Sequence, residues 1–95
     1  MYALNSVETQ DEYTEANTLQ CPGTVELIVT VEGEPVLLQY AFRSDGYSAG
    51  APIWTPSNGV FLPAGFHTRG RNVEQVRVKS FAKGKPGNVS IEAVS

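Results

Sequence analysis

Apolar residues recur at every second position in several stretches of the chain, a period that predicts strands with one face buried. Val25, Leu27, Val29 and Val31 alternate with Glu26, Ile28, Thr30 and Glu32. Val36, Leu38, Tyr40 and Phe42 alternate with Leu37, Gln39 and Ala41, and Val76 and Val78 flank Arg77 and precede Lys79. Val89, Ile91 and Ala93 alternate with Ser90, Glu92 and Val94 in a closing strand. A looser spacing of Tyr2, Leu4 and Val7 predicts a leading strand, and Val60, Phe61 and Leu62 predict another. Proline and glycine punctuate these runs at Cys21-Pro22-Gly23, Glu32-Gly33-Glu34-Pro35, Pro63-Ala64-Gly65-Phe66 and Ala82 to Gly87. The Gly33–Pro35 link is short, so the strands on either side of it are expected to pair as a hairpin. His67 to Asn72 reads as a polar turn, and Ile53-Trp54, set between Pro52 and Pro56, as a short edge strand. Strands spaced about 8 to 12 residues apart argue against βαβ units. The expected fold is all-β: an antiparallel β-sandwich, jelly-roll or Ig-like, or a small barrel, of about six or seven strands with an N-terminal arm.

Two stretches break the alternation. Thr9 to Gln20 carries Asp11, Glu12 and Glu15 and few large apolar groups, so it cannot bury enough surface to order itself. It reads as a loop or arm, with a short helix over Glu12 to Leu19 as the weaker option. Arg43 to Gly59 contains Gly46, Gly50, Gly59, Pro52 and Pro56. Long loops of that kind often carry function. The expected organisation is therefore one β domain over residues 1–95, with 1–20 as a strand or arm extension.

Composition narrows the classes without naming an activity. The 95 residues are 41% hydrophobic and 18% charged, which suits a globular chain, and no apolar run approaches the length of a membrane-spanning helix. A single cysteine, Cys21, cannot close an intrachain disulfide, and no leader pattern of basic residues followed by an apolar core is present. Charge is uneven along the chain. Glu8, Asp11, Glu12, Glu15, Glu26, Glu32 and Glu34 all precede the first basic residue, Arg43. Arg43, Arg69, Arg71, Arg77, Lys79, Lys83 and Lys85 then outnumber Asp45, Glu74 and Glu92, and the whole chain sums to −3. Either the two signs occupy different faces and orient copies against one another, or strands of both halves interleave and the charges meet within one molecule.

The chemistry-bearing residues do not assemble into a reaction centre. Ser44, Asp45 and His67 lack the setting of a nucleophile elbow. One His and one Cys cannot supply a zinc site, and Asp11, Glu12 and Glu15 lack the spacing of a calcium loop. Gly46 to Gly50 is followed by neither lysine nor helix, so no nucleotide pocket is expected. Arg69, Arg71, Arg77, Lys79, Lys83 and Lys85, with Phe66 or Phe81 to stack on bases, would suit a nucleic acid, but a pI near 5.0 argues against it. Neither a catalytic group, a metal nor a cofactor is expected. Tyr47, Trp54 and Phe66 flank loops and would suit a surface glycan, with Trp54 as the stacking platform, unless Trp54 plugs the core. The candidate interaction surface comprises Asp11, Glu12, Tyr13, Glu15, Tyr47, Trp54, Arg69 and Arg71.

The closing third, VFLPAGFHTRGRNVEQVRVKSFAKGKPGNVSIEAV, resembles the C-terminal part of small virion proteins encoded among the head and tail genes of tailed bacteriophages. The likeness rests on the FLPAG turn at Phe61 to Gly65, the QVRVKS strand at Gln75 to Ser80, the AKGKPG turn at Ala82 to Gly87 and the terminal VSIEA strand at Val89 to Ala93. It implies a capsid decoration protein, made in the host cytoplasm and carried on the capsid surface. Its partners would be the major capsid protein and sister subunits in a homo-oligomer, with no nucleic acid and no membrane involved. The alternatives are a carbohydrate-binding adhesion module or a tail component of the virion.

Overall fold

The computed structural model describes residues 2–15, 17–18, 26–42, 54–69 and 73–94. Among these it is an all-β sandwich of two antiparallel sheets, with no helix. The strands are β1 (Tyr2–Glu8), β2 (Asn17–Thr18), β3 (Glu26–Gly33), β4 (Val36–Phe42), β5 (Thr55–Leu62), β6 (Gly65–Arg69), β7 (Val73–Ser80) and β8 (Gly87–Val94). One sheet has the order β1-β8-β3-β6 and the other β2-β7-β4-β5.

Between the sheets lies the core that the alternation predicts: Leu27, Val29, Val31, Val36, Leu38, Leu62, Val76, Val78, Val89 and Ile91 are buried, with Leu4 and Ala93 at its margin. Each fully buried aliphatic side chain of this size contributes about 1.5 to 3 kcal/mol. The odd spacing of Leu4 and Val7 also has a cause. Register shifts fall between Tyr2 and Leu4 and again between Leu4 and Val7, so β1 carries two irregularities against β8. They re-aim the strand so that both Leu4 and Val7 pack on the core. Ser6 takes the positive φ of 54° that this needs, and β8 supports it: its N–H donates to Ser90 Oγ (2.9 Å) and its hydroxyl to Asn88 Oδ1 (3.1 Å).

The expected hairpin between β3 and β4 does not form. β3 pairs with β6 and β8, while β4 pairs with β5 and β7, so Gly33–Pro35 arches from one sheet to the other. Alternation specifies which face of a strand is buried but not which strand lies beside it. An arch satisfies the same pattern, because Val31 and Val36 reach one core from opposite sheets. Gly33 supplies a φ of 80° for the bend, and Pro35 O accepts from Phe81 N–H. The arch leaves no room for a side chain at Gly87: a Cβ there would lie 2.2 Å from Glu34 O.

Two more boundaries differ from expectation. Residues from Thr55 onward belong to β5 rather than to a long loop, and His67 to Arg69 belong to β6 rather than to a turn. Pro56 and Gly59 disguised β5, which tolerates them because it is an edge strand. Its register jumps from Leu38↔Val60 to Tyr40↔Thr55, so residues 56–59 bulge out opposite Gln39.

Candidate interaction surface

The N-terminal stretch expected as an arm lies against the body of the sandwich over its described part. After β1 the chain crosses to the other sheet at Thr9, a buried polar residue. Thr9 Oγ1 accepts from Gly87 N–H (2.8 Å) and shares a hydrogen bond with Ser80 Oγ (2.8 Å), while Thr9 N–H donates to Gly87 O (2.8 Å). The segment then tracks along β7. Ser80 N–H donates to Gln10 O, Thr14 N–H donates to Val78 O, and Val78 N–H donates to Thr14 Oγ1. β2 continues this antiparallel run, with Asn17 opposite Val76. Asp11 Oδ1 accepts from Gly84 N–H (2.8 Å) and so fastens the β7–β8 turn. The helix considered for Glu12 to Leu19 is absent over its described residues.

This path lays an acidic segment on a basic strand, and the first and last long strands pair, so the two halves of the charge pattern interleave within the molecule. It also assembles a stack on the outer face of β7. The Arg77 guanidinium lies 4.2 Å from the centre of the Trp54 ring and 4.7 Å from that of Tyr13, and Lys79 Nζ lies 4.9 Å from the Tyr13 ring. Aromatic and cationic groups thus alternate as Trp54, Arg77, Tyr13, Lys79, each cation facing the electron-rich side of a ring. Arg77 Nε and Nη2 both donate to Gln39 Oε1 (2.8 and 2.6 Å). Gln39 in turn donates through Nε2 to Pro56 O and Ser57 O (both 3.1 Å). One glutamine thereby satisfies the carbonyls of the β5 bulge and orients the arginine.

The Tyr13 hydroxyl reaches Gly59 of β5. A Cβ at Gly59 would stand 2.7 Å from its hydroxyl and 3.1 Å from Leu37 Cβ, and Gly59 also has a φ of 78°, so glycine is required there twice over. Burial raises the Tyr13 pKa above 10.0, and the neighbouring Arg77 charge partly opposes that rise. Beside the stack an open depression of about 320 Å³ is lined by Asp11, Glu12, Leu37, Lys79, Phe81 and Lys83 among others. Phe61 and Phe81 meet edge to face at 4.7 Å, and they remain 48% and 53% exposed.

The structure therefore brings Asp11, Glu12, Tyr13 and Trp54 to one face, with Glu15 exposed at the end of the crossing segment. Arg69 ends β6 in the other sheet. Tyr47 and Arg71 lie outside the described residues, as does the side chain of Arg69. Trp54 is half-buried and stands outside the core. Sequence reasoning missed Arg77, Lys79 and Gln39 as members of this surface. A signal existed, since Arg77 and Lys79 share the outward face of one strand, but nothing local announced which aromatics they would meet. Among the described residues no cluster of His, Cys, Asp or Glu could hold a metal ion, and no helix is long and apolar enough to cross a membrane. No family model, curated protein or solved structure matches the chain.

Proposed function

We propose that this chain is a non-enzymatic structural protein of a virion, a capsid decoration protein that docks on the capsid lattice through the outer face of the β2-β7-β4-β5 sheet. The observation that carries the reading is the Trp54–Arg77–Tyr13 stack beside the half-exposed Phe61–Phe81 pair. Trp, Tyr and Arg dominate binding energy at protein interfaces, and here they are already held in place, so little side-chain entropy is lost on docking. The open depression beside them suits a protruding side chain of a protein partner, with Asp11, Glu12, Lys79 and Lys83 among its lining residues. The phage-like C-terminal third supports the choice of partner.

Co-sedimentation with mature and precursor capsids of the phage that encodes it tests the reading. Saturable binding that favours the mature lattice and falls at least about tenfold for Phe81→Ser supports it. Absence of binding to both shells overturns it. A surface glycan is the second reading, favoured by Trp54 standing outside the core, although the Arg77 guanidinium already covers part of its ring. Quenching of Trp54 fluorescence by acrylamide, relieved on titration with a polysaccharide, would favour the glycan.

A further inference from the structure

An asparagine followed by glycine readily loses its side-chain amide, because glycine has no Cβ to hinder attack by its own backbone nitrogen on the neighbouring side-chain carbonyl. The chain has five asparagines, and one of them, Asn58, precedes a glycine. The fold restrains the others that it describes. Ser6, after Asn5, gives its N–H to Ser90 Oγ (2.9 Å), so the nitrogen that would attack is engaged. Val89, after Asn88, is buried, β-branched and in register with Val31 on one side and Val7 on the other, and Asn88 Oδ1 accepts from the Ser6 hydroxyl. Asn17 and Thr18 both stand in register with β7. Asn72 lies outside the described residues.

Asn58 is placed otherwise. It is exposed, and it stands in the β5 bulge, where the register against β4 passes from Thr55 directly to Val60. Gln39 Nε2 holds the carbonyls of Pro56 and Ser57 (both 3.1 Å), so the Asn58-Gly59 peptide is the stretch that leads the bulge back to the ladder. The glycine cannot be exchanged for a slower neighbour. Its φ is 78°, and a Cβ there would stand 2.7 Å from the Tyr13 hydroxyl. The packing of Tyr13 against β5 thus requires the residue type that opens Asn58 to attack.

We infer that Asn58-Gly59 is a self-modification site, at which the folded protein converts to aspartyl and isoaspartyl forms and so ages its own stacked face. Gly59 N, giving up its proton to water, attacks Asn58 Cγ; the new C–N bond closes a succinimide ring, and the Cγ–Nδ2 bond breaks with loss of ammonia. Water then opens either ring carbonyl. One opening leaves an aspartate at position 58, the other an isoaspartate whose backbone runs through the former side chain. Both products add one negative charge to a chain that sums to −3. The isoaspartyl form also lengthens the backbone between the carbonyls held by Gln39 and the Leu38↔Val60 pair. That stretch contains Gly59, which meets the Tyr13 hydroxyl, so the stack of Tyr13, Arg77 and Trp54 loosens. The change is independent of the decoration reading, because it is measured on the isolated protein.

The test is prolonged incubation of the full chain at mildly alkaline pH and physiological temperature, followed by peptide mass mapping and enzymatic methyl labelling of isoaspartate. The peptide holding Asn58 should gain the mass of the acid several-fold faster than those holding Asn5 and Asn88, with the isoaspartyl form in excess. The acidic shift of the intact protein on isoelectric focusing should be lost in Asn58→Gln, whose longer side chain closes its ring far more slowly. Trp54 emission should move to the red as isoaspartate accumulates, and hold its place over the same period in Asn58→Gln. Conversion of Asn5 or Asn88 at the pace of Asn58 overturns the inference. So does an Asn58 that stays intact in the folded chain while it converts in urea, since the bulge would then withhold the amide. Conversion at Asn58 with no change in Trp54 emission overturns the link to the stack.

Discussion

Along β8, in one sheet, every second residue is buried and those between are half-exposed, as expected for a strand with one wet face. Along β4, in the other sheet, the core-facing Val36 and Leu38 are buried, and so are Gln39 and Ala41 on the outward side. The two outer faces of this sandwich have been treated differently. Over one of them lie the Tyr13 side chain and the β5 bulge, while the other, among the described residues, carries Ile28, Thr30, Ser90 and the exposed Phe66. The covered face gains rigidity and a fixed stack of aromatic and cationic groups. The other face, among the described residues, keeps one large apolar group, Phe66, in water.

The covering depends most on the buried node at Thr9. Thr9→Val keeps the volume but leaves Gly87 N–H and Ser80 Oγ without their shared partner in a buried site, which should cost about 2 to 3 kcal/mol. For a chain whose total stability is roughly 5 to 14 kcal/mol, that is a large fraction. Denaturant unfolding gives the energy, and faster exchange of the Thr14, Val78 and Ser80 amides would show that residues 10–15 loosen with it. A loss below about 0.5 kcal/mol would mean that the crossing segment is held elsewhere.

Arg77 is the next support. Arg77→Ala removes both ring contacts and the donors to Gln39 Oε1, with an expected loss of about 1 to 3 kcal/mol and a red shift of Trp54 emission as the indole gains water. Arg77→Lys keeps the charge but not the planar pair of donors and should recover less than half of that loss. Full recovery by lysine would reduce the stack to simple charge attraction.

How much of this was legible beforehand follows from what periodicity encodes. The sandwich and most of its core were readable at Leu27, Val29, Val31, Val89 and Ile91, because a period of two reports burial directly. Partners were not readable. The turn at Gly33–Pro35 carries ordinary hairpin residues, yet whether it closes a hairpin or arches between sheets depends on packing at Glu34, Phe81 and Gly87, far apart in sequence. Tyr13 was a candidate for the surface and Trp54 was left between a surface platform and a core plug, while Arg77 looked like any cation on a wet strand face. Its role arises from a polar segment that cannot order alone and gains its order from β7.

Smaller effects separate the faces through their phenylalanines. Phe81→Ala removes one half of an edge-to-face pair and should cost about 1 kcal/mol. Phe66→Ala, on the bare face, should leave the stability of dilute monomer within about 0.5 kcal/mol of the parent. Thermal or urea midpoints measured side by side decide it, and a Phe66 loss equal to that of Phe81 would mean the uncovered face is packed after all.

The smallest effect is a pH dependence. Burial raises the Tyr13 pKa above 10.0, with Arg77 opposing part of the rise. The unfolded chain therefore releases the phenolic proton first as the solution becomes alkaline, and the folded chain binds more protons than the unfolded one in that window. The stability contributed by the neutral ring is present in full below pH 10.0 and is lost as pH rises through the higher folded value. Thermal midpoints followed from about pH 9 to about pH 11 should fall more steeply for the parent than for Tyr13→Phe, which has no proton to lose. Parallel slopes would mean that Tyr13 stands in water as freely as Phe66 does, and the contrast between a covered and an uncovered face would lose its electrostatic support.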